Sequence, residues 1–353
     1  MPTKKARVNN AKSDMGQFFT RDAVWLQPQV RRFIEGHLGR GAMDPYAGAG
    51  HLLDVAKELG AASVSGMEID AGLCAQFGWR QNDSLRDIPA TGKIIITNPP
   101  YLAKNSAKRL DSPSYAYFAG NAYEDLYQLA LEKMLAHHDA VVAIIPETFL
   151  ISGRMRERLE RLTVLEDNPF EDTDLPVCVV CFVKEPVADT AIYKNDQLMG
   201  SLRDLEQAVP EPHRLVEMIF NDRDGNIGLR AVDNPGRHGK PDRMRFCEPA
   251  DLGYPVERIV PTSRAITLIS VALPKGIGTK QLVEQANLVL NRYRSQTGDL
   301  FLCPFKGNTH EGVRRRRLDY RTARALLERA LVDLGAIVPA KLVRSGKRAR
   351  QSD

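Results

Sequence analysis

From Arg40 to Lys184 the chain alternates short apolar runs with helix-patterned segments, and this alternation restricts its fold more than any other feature. Ala42–Tyr46 reads as the end of a strand, and His51–Leu59 as a helix that Gly60 stops. Ser63–Ile69 reads as a second strand, Gly72–Arg80 as a third short element, and Lys93–Thr97 as a buried strand. Tyr123–His137 repeats Leu126, Leu129, Ala130, Met134 and Leu135 at helical spacing, and Ala140–Ile145 is again a buried strand. Strands separated by helices predict a mainly parallel α/β sheet. Met155–Leu162 predicts a charged helix, and Thr163–Asp167 with Val177–Lys184 a last strand pair. That pair lies too close in sequence for a crossover helix, so an antiparallel, hairpin-like addition at the sheet edge is expected.

The 353 residues suggest about two domains. Regularity drops after Glu185-Pro186, where Pro210-Glu-Pro212, Asn234-Pro-Gly236 and Gly239-Lys-Pro241 mark loops. Ile266–Leu273 reads as a strand, and Lys280–Tyr293 and Tyr320–Leu334 as helices. The expected division is a disordered basic segment at 1–14, a first domain at 15–190, a smaller basic α+β region at 191–340 and a basic tail at 341–353. Residues 1–190 hold 21 Lys/Arg against 25 Asp/Glu, whereas 191–353 hold 28 against 19. A basic segment joined to a near-neutral body points to a polyanionic partner. The longest apolar run is far short of the ~20 residues a spanning helix needs, and no apolar stretch follows the basic N-terminus. Five cysteines are too few for a disulfide scaffold and fit a reducing, cytoplasmic setting.

Asp44-Pro-Tyr46-Ala-Gly48-Ala-Gly50 follows the first strand and opens the first helix. Glycines there permit a tight turn and close approach of a ligand to the backbone. The third glycine of a dinucleotide fingerprint is replaced by Leu53, and no Gly-Lys-Ser/Thr is present, so neither NAD nor a P-loop nucleotide is indicated. Glu68 closes the second strand, where an acid can accept from ribose hydroxyls. Asp83, after the third element, could accept from an exocyclic amine. In this order the two acids outline a nucleoside pocket across the carboxyl ends of consecutive strands.

The buried run Ile94-Ile-Ile-Thr97 ends abruptly in Asn98-Pro99-Pro100-Tyr101. Neither proline donates a backbone hydrogen bond and each fixes φ, so the turn is stiff and presents carbonyls, an amide and an aromatic ring. Here the sequence resembles the S-adenosylmethionine-dependent methyltransferases that act on planar amino groups. Among them, Asn-Pro-Pro-Tyr is the catalytic motif and the acid with its Gly-x-Gly loop is the cofactor motif. Gly16-Gln-Phe18-Phe19-Thr20 resembles the further cofactor motif of DNA adenine-N6 methyltransferases, and the motif order is similar to the gamma group. The resemblance covers roughly residues 15–185. It implies a Rossmann-like methyltransferase sheet, S-adenosylmethionine bound by Phe18, Phe19, Thr20, Asp44, Tyr46, Gly48, Gly50, Glu68 and Asp83, and catalysis by Asn98, Pro99, Pro100 and Tyr101. It further implies double-stranded DNA as partner, with the target base flipped and stacked between Tyr101 and Phe170. A cognate restriction endonuclease is compatible with it. RNA adenine and protein glutamine share the turn and stay open, as does a non-catalytic binding protein on a degenerate fold. The early Phe-Phe-Thr motif and the extra mass after the catalytic region favour DNA.

Residues 102–120 are expected to form a long loop, a lid or phosphate contact, with Lys104, Lys108 and Arg109. In the basic region, the loop Arg237–Arg245 and the run Arg314, Arg315, Arg316 and Arg317 are candidate nucleic-acid contacts. Cys178-Val-Val-Cys181 has metal-like spacing, but in a strand residues i and i+3 point to opposite faces, so it reads as core. His137-His138 suits a helix C-terminus. No metal site is expected.

Overall fold

The computed structural model describes residues 23–170, 175–233, 243–260, 262–305 and 315–337. It divides between Arg203 and Asp204 into two compact units. The large sheet extends past residue 190, because two further strands join it before that division.

In the first unit, helix α1 (Pro28–His37) precedes strand β1 (Ala42–Asp44), α2 (His51–Glu58), β2 (Val64–Glu68), α3 (Ala71–Phe77) and β3 (Arg80–Gln81). Then come β4 (Ile94–Thr97), α4 (Lys104–Arg109), α5 (Leu126–His137), β5 (Val141–Pro146), α6 (Phe149–Ser152), β6 (Leu159–Val164), β7 (Val177–Phe182), β8 (Ala191–Lys194) and β9 (Gln197–Ser201). The nine strands form one sheet in the order β3-β2-β1-β4-β5-β7-β6-β8-β9. β1 to β5 pair in parallel, and β7 runs antiparallel to both β5 and β6. This is the doubly wound α/β sheet that the strand–helix alternation predicts. β4, β5 and β7 are buried along their whole length, which is why they read as nearly continuous apolar runs. Order reverses between β1 and β4, and such a reversal opens a crevice at the strands' carboxyl ends.

Three sequence expectations are corrected. Met155–Leu162 is not a helix: Met155 takes a left-handed φ of 53°, and β6 begins at Leu159. The pairing of β6 with β7 and β8 outweighs a local pattern that mimics a helical period. The β6–β7 pair is not the sheet edge, because β8 and β9 lie beyond it. Residues 102–120 are not a plain loop, since they hold α4 and a 3-10 helix at Pro113–Phe118. Cys178 and Cys181 are fully buried in β7, and His138 is buried with its ring against the Lys93 and Pro89 carbonyls.

The second unit follows helix α7 (Leu202–Gln207), which spans the division. A four-stranded antiparallel sheet is made of β10 (Met218–Phe220), β11 (Ile227–Arg230), β12 (Arg245–Cys247) and β13 (Ile266–Val271), in the order β10-β13-β11-β12. Helices α8 (Thr279–Thr297) and α9 (Tyr320–Asp333) pack together. A two-stranded ladder joins β14 (Cys303–Pro304) to β15 (Arg316–Arg317). Arg316 is buried at 7% exposure, which argues against its expected nucleic-acid contact. Phe18, Phe19, Thr20, Arg314, most of the loop Arg237–Arg245 and the segments 1–14 and 341–353 lie outside the described residues. Among the described residues no helix is long and apolar enough to cross a membrane.

Candidate active site

A cleft of about 970 Å³, mouth included, opens where the strand order reverses. Asp44, Tyr46, Gly48, Glu68, Asp83, Asn98 and Pro100 all line it. Residues far apart in sequence thus meet because β1, β2, β3 and β4 each release their chain at the same end of the sheet.

The glycine loop is held from beneath. Asp44 is buried at the end of β1 and accepts from the Thr97 hydroxyl at 2.5 Å and from the Tyr46 amide at 2.9 Å. Burial pushes its carboxyl up to about 7, against those two hydrogen bonds, and the charge of Glu68 adds to the rise. Glu68 folds back on the backbone. One oxygen accepts from Gly48 N at 3.0 Å, and the other from Ile69 N at 2.8 Å and Asp70 N at 3.1 Å. The Tyr46 hydroxyl donates to the Ser84 carbonyl at 3.0 Å, tying this loop to the segment after β3.

Trp79 is a support that the sequence did not reveal. Its indole donates to the Gly48 carbonyl at 3.0 Å. A Cβ on Gly50, which has φ 87°, would stand 2.7 Å from the Trp79 ring, and one on Gly66 would stand 2.6 Å from it. Gly50 itself heads helix α2 and does not line the cleft. Ile69, 48% exposed, offers an apolar face at the cleft together with Leu73.

Opposite the loop lies the Asn98–Tyr101 turn. Tyr101 is buried below it, with its hydroxyl between Asn98 Oδ1 and the Ile144 carbonyl, the latter at 2.6 Å. Burial raises the phenol well above its ordinary range, so it stays protonated. The Phe170 ring, also buried, meets the Tyr101 ring edge-on with centroids 6.3 Å apart. Neither ring lines the cleft, and they present no parallel faces, so a base cannot lie between them as they stand.

The segment after the turn is fixed at its base. Leu102 N donates to Asp125 Oδ1 at 3.0 Å, and Lys104 N to the Glu124 carbonyl at 2.9 Å. α4 carries Lys104, Lys108 and Arg109, the last two exposed. Further along, Ser114 and Tyr117 line the cleft, and neither was singled out by sequence. Tyr117 donates to Asp83 Oδ2 at 2.9 Å, and Arg86 pairs with the same oxygen at 2.8 Å. Arg315, Arg316 and Arg317 belong to the second unit. Among the described residues no group of His, Cys, Asp and Glu could hold a metal ion.

No family model matches the sequence, and no curated protein matches it. Solved structures do resemble it at a distance. One is the type I restriction-modification system methyltransferase subunit from Streptococcus thermophilus, at TM-score 0.36 and 18% identity, over 53% of this chain and 49% of that one. Another is the type IIG restriction endonuclease BpuSI, at TM-score 0.37 and 17% identity, over 57% of this chain and 30% of that one. The match thus spans about half the length of the Streptococcus subunit.

Proposed function

We propose that this protein transfers a methyl group from S-adenosylmethionine to a planar amino group, and that the group is N6 of adenine in double-stranded DNA. The observation that carries the reading is that Asn98 and Pro100 line the same cleft as Asp44, Gly48, Glu68 and Asp83. A nucleoside-type site and an amide-bearing turn therefore face one space.

The cleft fits the cofactor by donor set. Glu68 keeps acceptor capacity on the oxygen that already meets Gly48, Asp83 can take an amine, and Ile69 can cover an adenine face. Bound there, S-adenosylmethionine would supply an electrophilic methyl. The N6 lone pair of adenine is delocalised into the ring and is a poor nucleophile. If Asn98 Oδ1 and the Pro99 carbonyl each accept one N–H, the nitrogen shifts toward sp³ character and its lone pair can attack. Positioning and electrostatics then carry the step, without a strong base.

Tyr101 helps to set up Asn98. A hydroxyl carries one proton, so it cannot serve both Asn98 Oδ1 and the Ile144 carbonyl. Donation to Ile144 lets the amide turn its NH2 to the phenol oxygen and present Oδ1 to the cleft. Tyr101 thus acts from below the turn, and stacking between Tyr101 and Phe170 would first require the rings to part.

Duplex DNA as the substrate is supported by the basic second unit. The register sets Arg230 opposite Arg245, and an isolated bridge sets Arg317 opposite Val232. Paired strand residues share a face and faces alternate, so these three arginines stand on one side of the sheet.

The test is incubation with S-adenosylmethionine and unmethylated duplex DNA, followed by digestion and mass spectrometry of the nucleosides. N6-methyladenine is expected. Cofactor binding without a methylated nucleoside would move the substrate to RNA or a protein glutamine. Asn98→Ala should abolish methylation and leave cofactor affinity within a few-fold by calorimetry. Equal loss of both would mean that Asn98 belongs to the cofactor site.

A further inference from the structure

The contact between Tyr117 and Asp83 joins two elements that are 34 residues apart in sequence. Asp83 follows β3, at the end of the cleft where a cofactor amine is proposed to bind. Tyr117 lies in the 3-10 turn Pro113–Phe118, which the catalytic turn leads into through α4. Both residues line the cleft. On Asp83 one oxygen is fully engaged: Oδ2 accepts from the Tyr117 hydroxyl at 2.9 Å and pairs with Arg86 Nε at 2.8 Å. No described residue donates to Oδ1. Arg86 also lies over the Tyr117 ring, 6.0 Å from its centroid, so the three side chains brace one another. Tyr117 is itself held, because its carbonyl accepts from the Asn121 amide at 2.8 Å.

From this geometry we infer that Tyr117 is a positioning residue: it clamps one carboxylate oxygen of Asp83, so that the other is aimed at an exocyclic amine in the cleft, and it latches the segment 103–125 over that ligand. The inference rests on the cofactor reading above and adds a coupling to it. The segment that follows the catalytic turn closes onto the residue that reads the cofactor base, so binding of the base amine and closure of the segment reinforce each other. A ligand can shift such a closure only by the difference in its affinity for the two arrangements. That difference is the orientation of the Asp83 carboxylate, which the bond from Tyr117 fixes in the closed arrangement and leaves to rotate when it is broken.

The test compares the full-length protein with Tyr117→Phe, which deletes only the hydroxyl, and with Tyr115→Phe, a neighbouring phenol that is 39% exposed. Two ligands are titrated calorimetrically: S-adenosylmethionine, and an analogue whose purine carries hydrogen in place of the exocyclic amine. Tyr117→Phe should weaken S-adenosylmethionine about 2- to 10-fold, the range of one hydrogen bond. It should have little effect on the amine-less analogue, because the bond that Tyr117 supports is already missing there. Tyr115→Phe should match the parent on both. Without ligand, trypsin should cut after Lys104, Lys108 and Arg109 faster in Tyr117→Phe than in the parent. Equal weakening on both ligands would reduce Tyr117 to a structural prop and overturn the inference. Unchanged affinity together with unchanged proteolysis would do the same. Failure of the parent to bind S-adenosylmethionine would instead remove the cofactor reading, and the proteolysis comparison would still judge the latch by itself.

Discussion

Asp44 sits where burial and charge are in conflict. Its carboxyl is pushed up to about 7, burial being the largest cause, while Thr97 and the Tyr46 amide pull it back. An unfolded aspartate titrates near ~3.9. The folded form therefore holds its proton more tightly, and its contribution to stability is fully present below about pH 4, shrinks through the interval and is gone above about pH 7. Asp44→Asn keeps the acceptor for Thr97 and Tyr46 and cannot ionise. Its stability relative to the parent should thus rise between about pH 4 and 7 and then level off. Urea denaturation of both proteins at several values across that range checks this, and an offset that does not vary with pH would show that Asp44 titrates normally. Sequence could place Asp44, Glu68 and Asp83 because the first two close β1 and β2 and the third follows β3. It could not show the Tyr117 contact or the Trp79 prop, because both arise from side chains that only the folded chain brings together.

The elements that were legible are those whose burial leaves a one-dimensional trace. β4 and β5 are covered on both faces, so nearly every position is apolar. α3 reads in the sequence only as a short element over Gly72–Arg80, and the structure supplies its signals: Asp70 caps the Gly72 and Leu73 amides at 2.7 and 3.0 Å, and Gly78 ends it in the left-handed region. β6 left no such trace, because Met155, Leu159 and Leu162 repeat at helical spacing by coincidence of a half-buried strand with its lead-in. The glycine loop also depends on a neighbour that its own sequence does not name. A Cβ on Gly66 would meet the Trp79 ring at 2.6 Å and the Ala47 Cβ at 2.8 Å, and these are backbone-anchored groups with little room to give. Gly66→Ala should therefore destabilise the protein by about 1–3 kcal/mol, as overpacking does. It should also weaken cofactor binding, because the displaced ring carries the Gly48 carbonyl. A denaturation midpoint equal to that of the parent would show that Trp79 can move at no cost.

At the scale of the molecule, charge is distributed unevenly between the two units. The first unit holds a cleft walled by acids and apolar groups, and the second carries the excess of basic residues. Charge runs in a sequence do not say which side chains share a face. The pairing of β11 with β12 and the bridge to Arg317 do, setting Arg230, Arg245 and Arg317 on the face opposite Leu229 and Phe246, a face that also carries buried Cys247 and Leu268. Exposed Arg243 precedes them by two residues along the chain from Arg245. Arg230 also donates to the Leu252 carbonyl at 2.7 Å, so its removal would disturb the fold. Arg243 is exposed, whereas Arg245 donates to the Arg243 carbonyl at 3.3 Å, so the Arg243 variant is the cleaner probe. If this face meets phosphates, Arg243→Gln and Arg245→Gln should each weaken duplex binding about equally on all sequences. Each should also lower the slope of log affinity against log salt by about 0.9, the share of one phosphate contact. Fluorescence anisotropy with several duplexes over a salt series measures both quantities. A loss confined to some sequences, with the slope unchanged, would assign these arginines to base edges instead, where guanine presents the paired acceptors that a guanidinium fits.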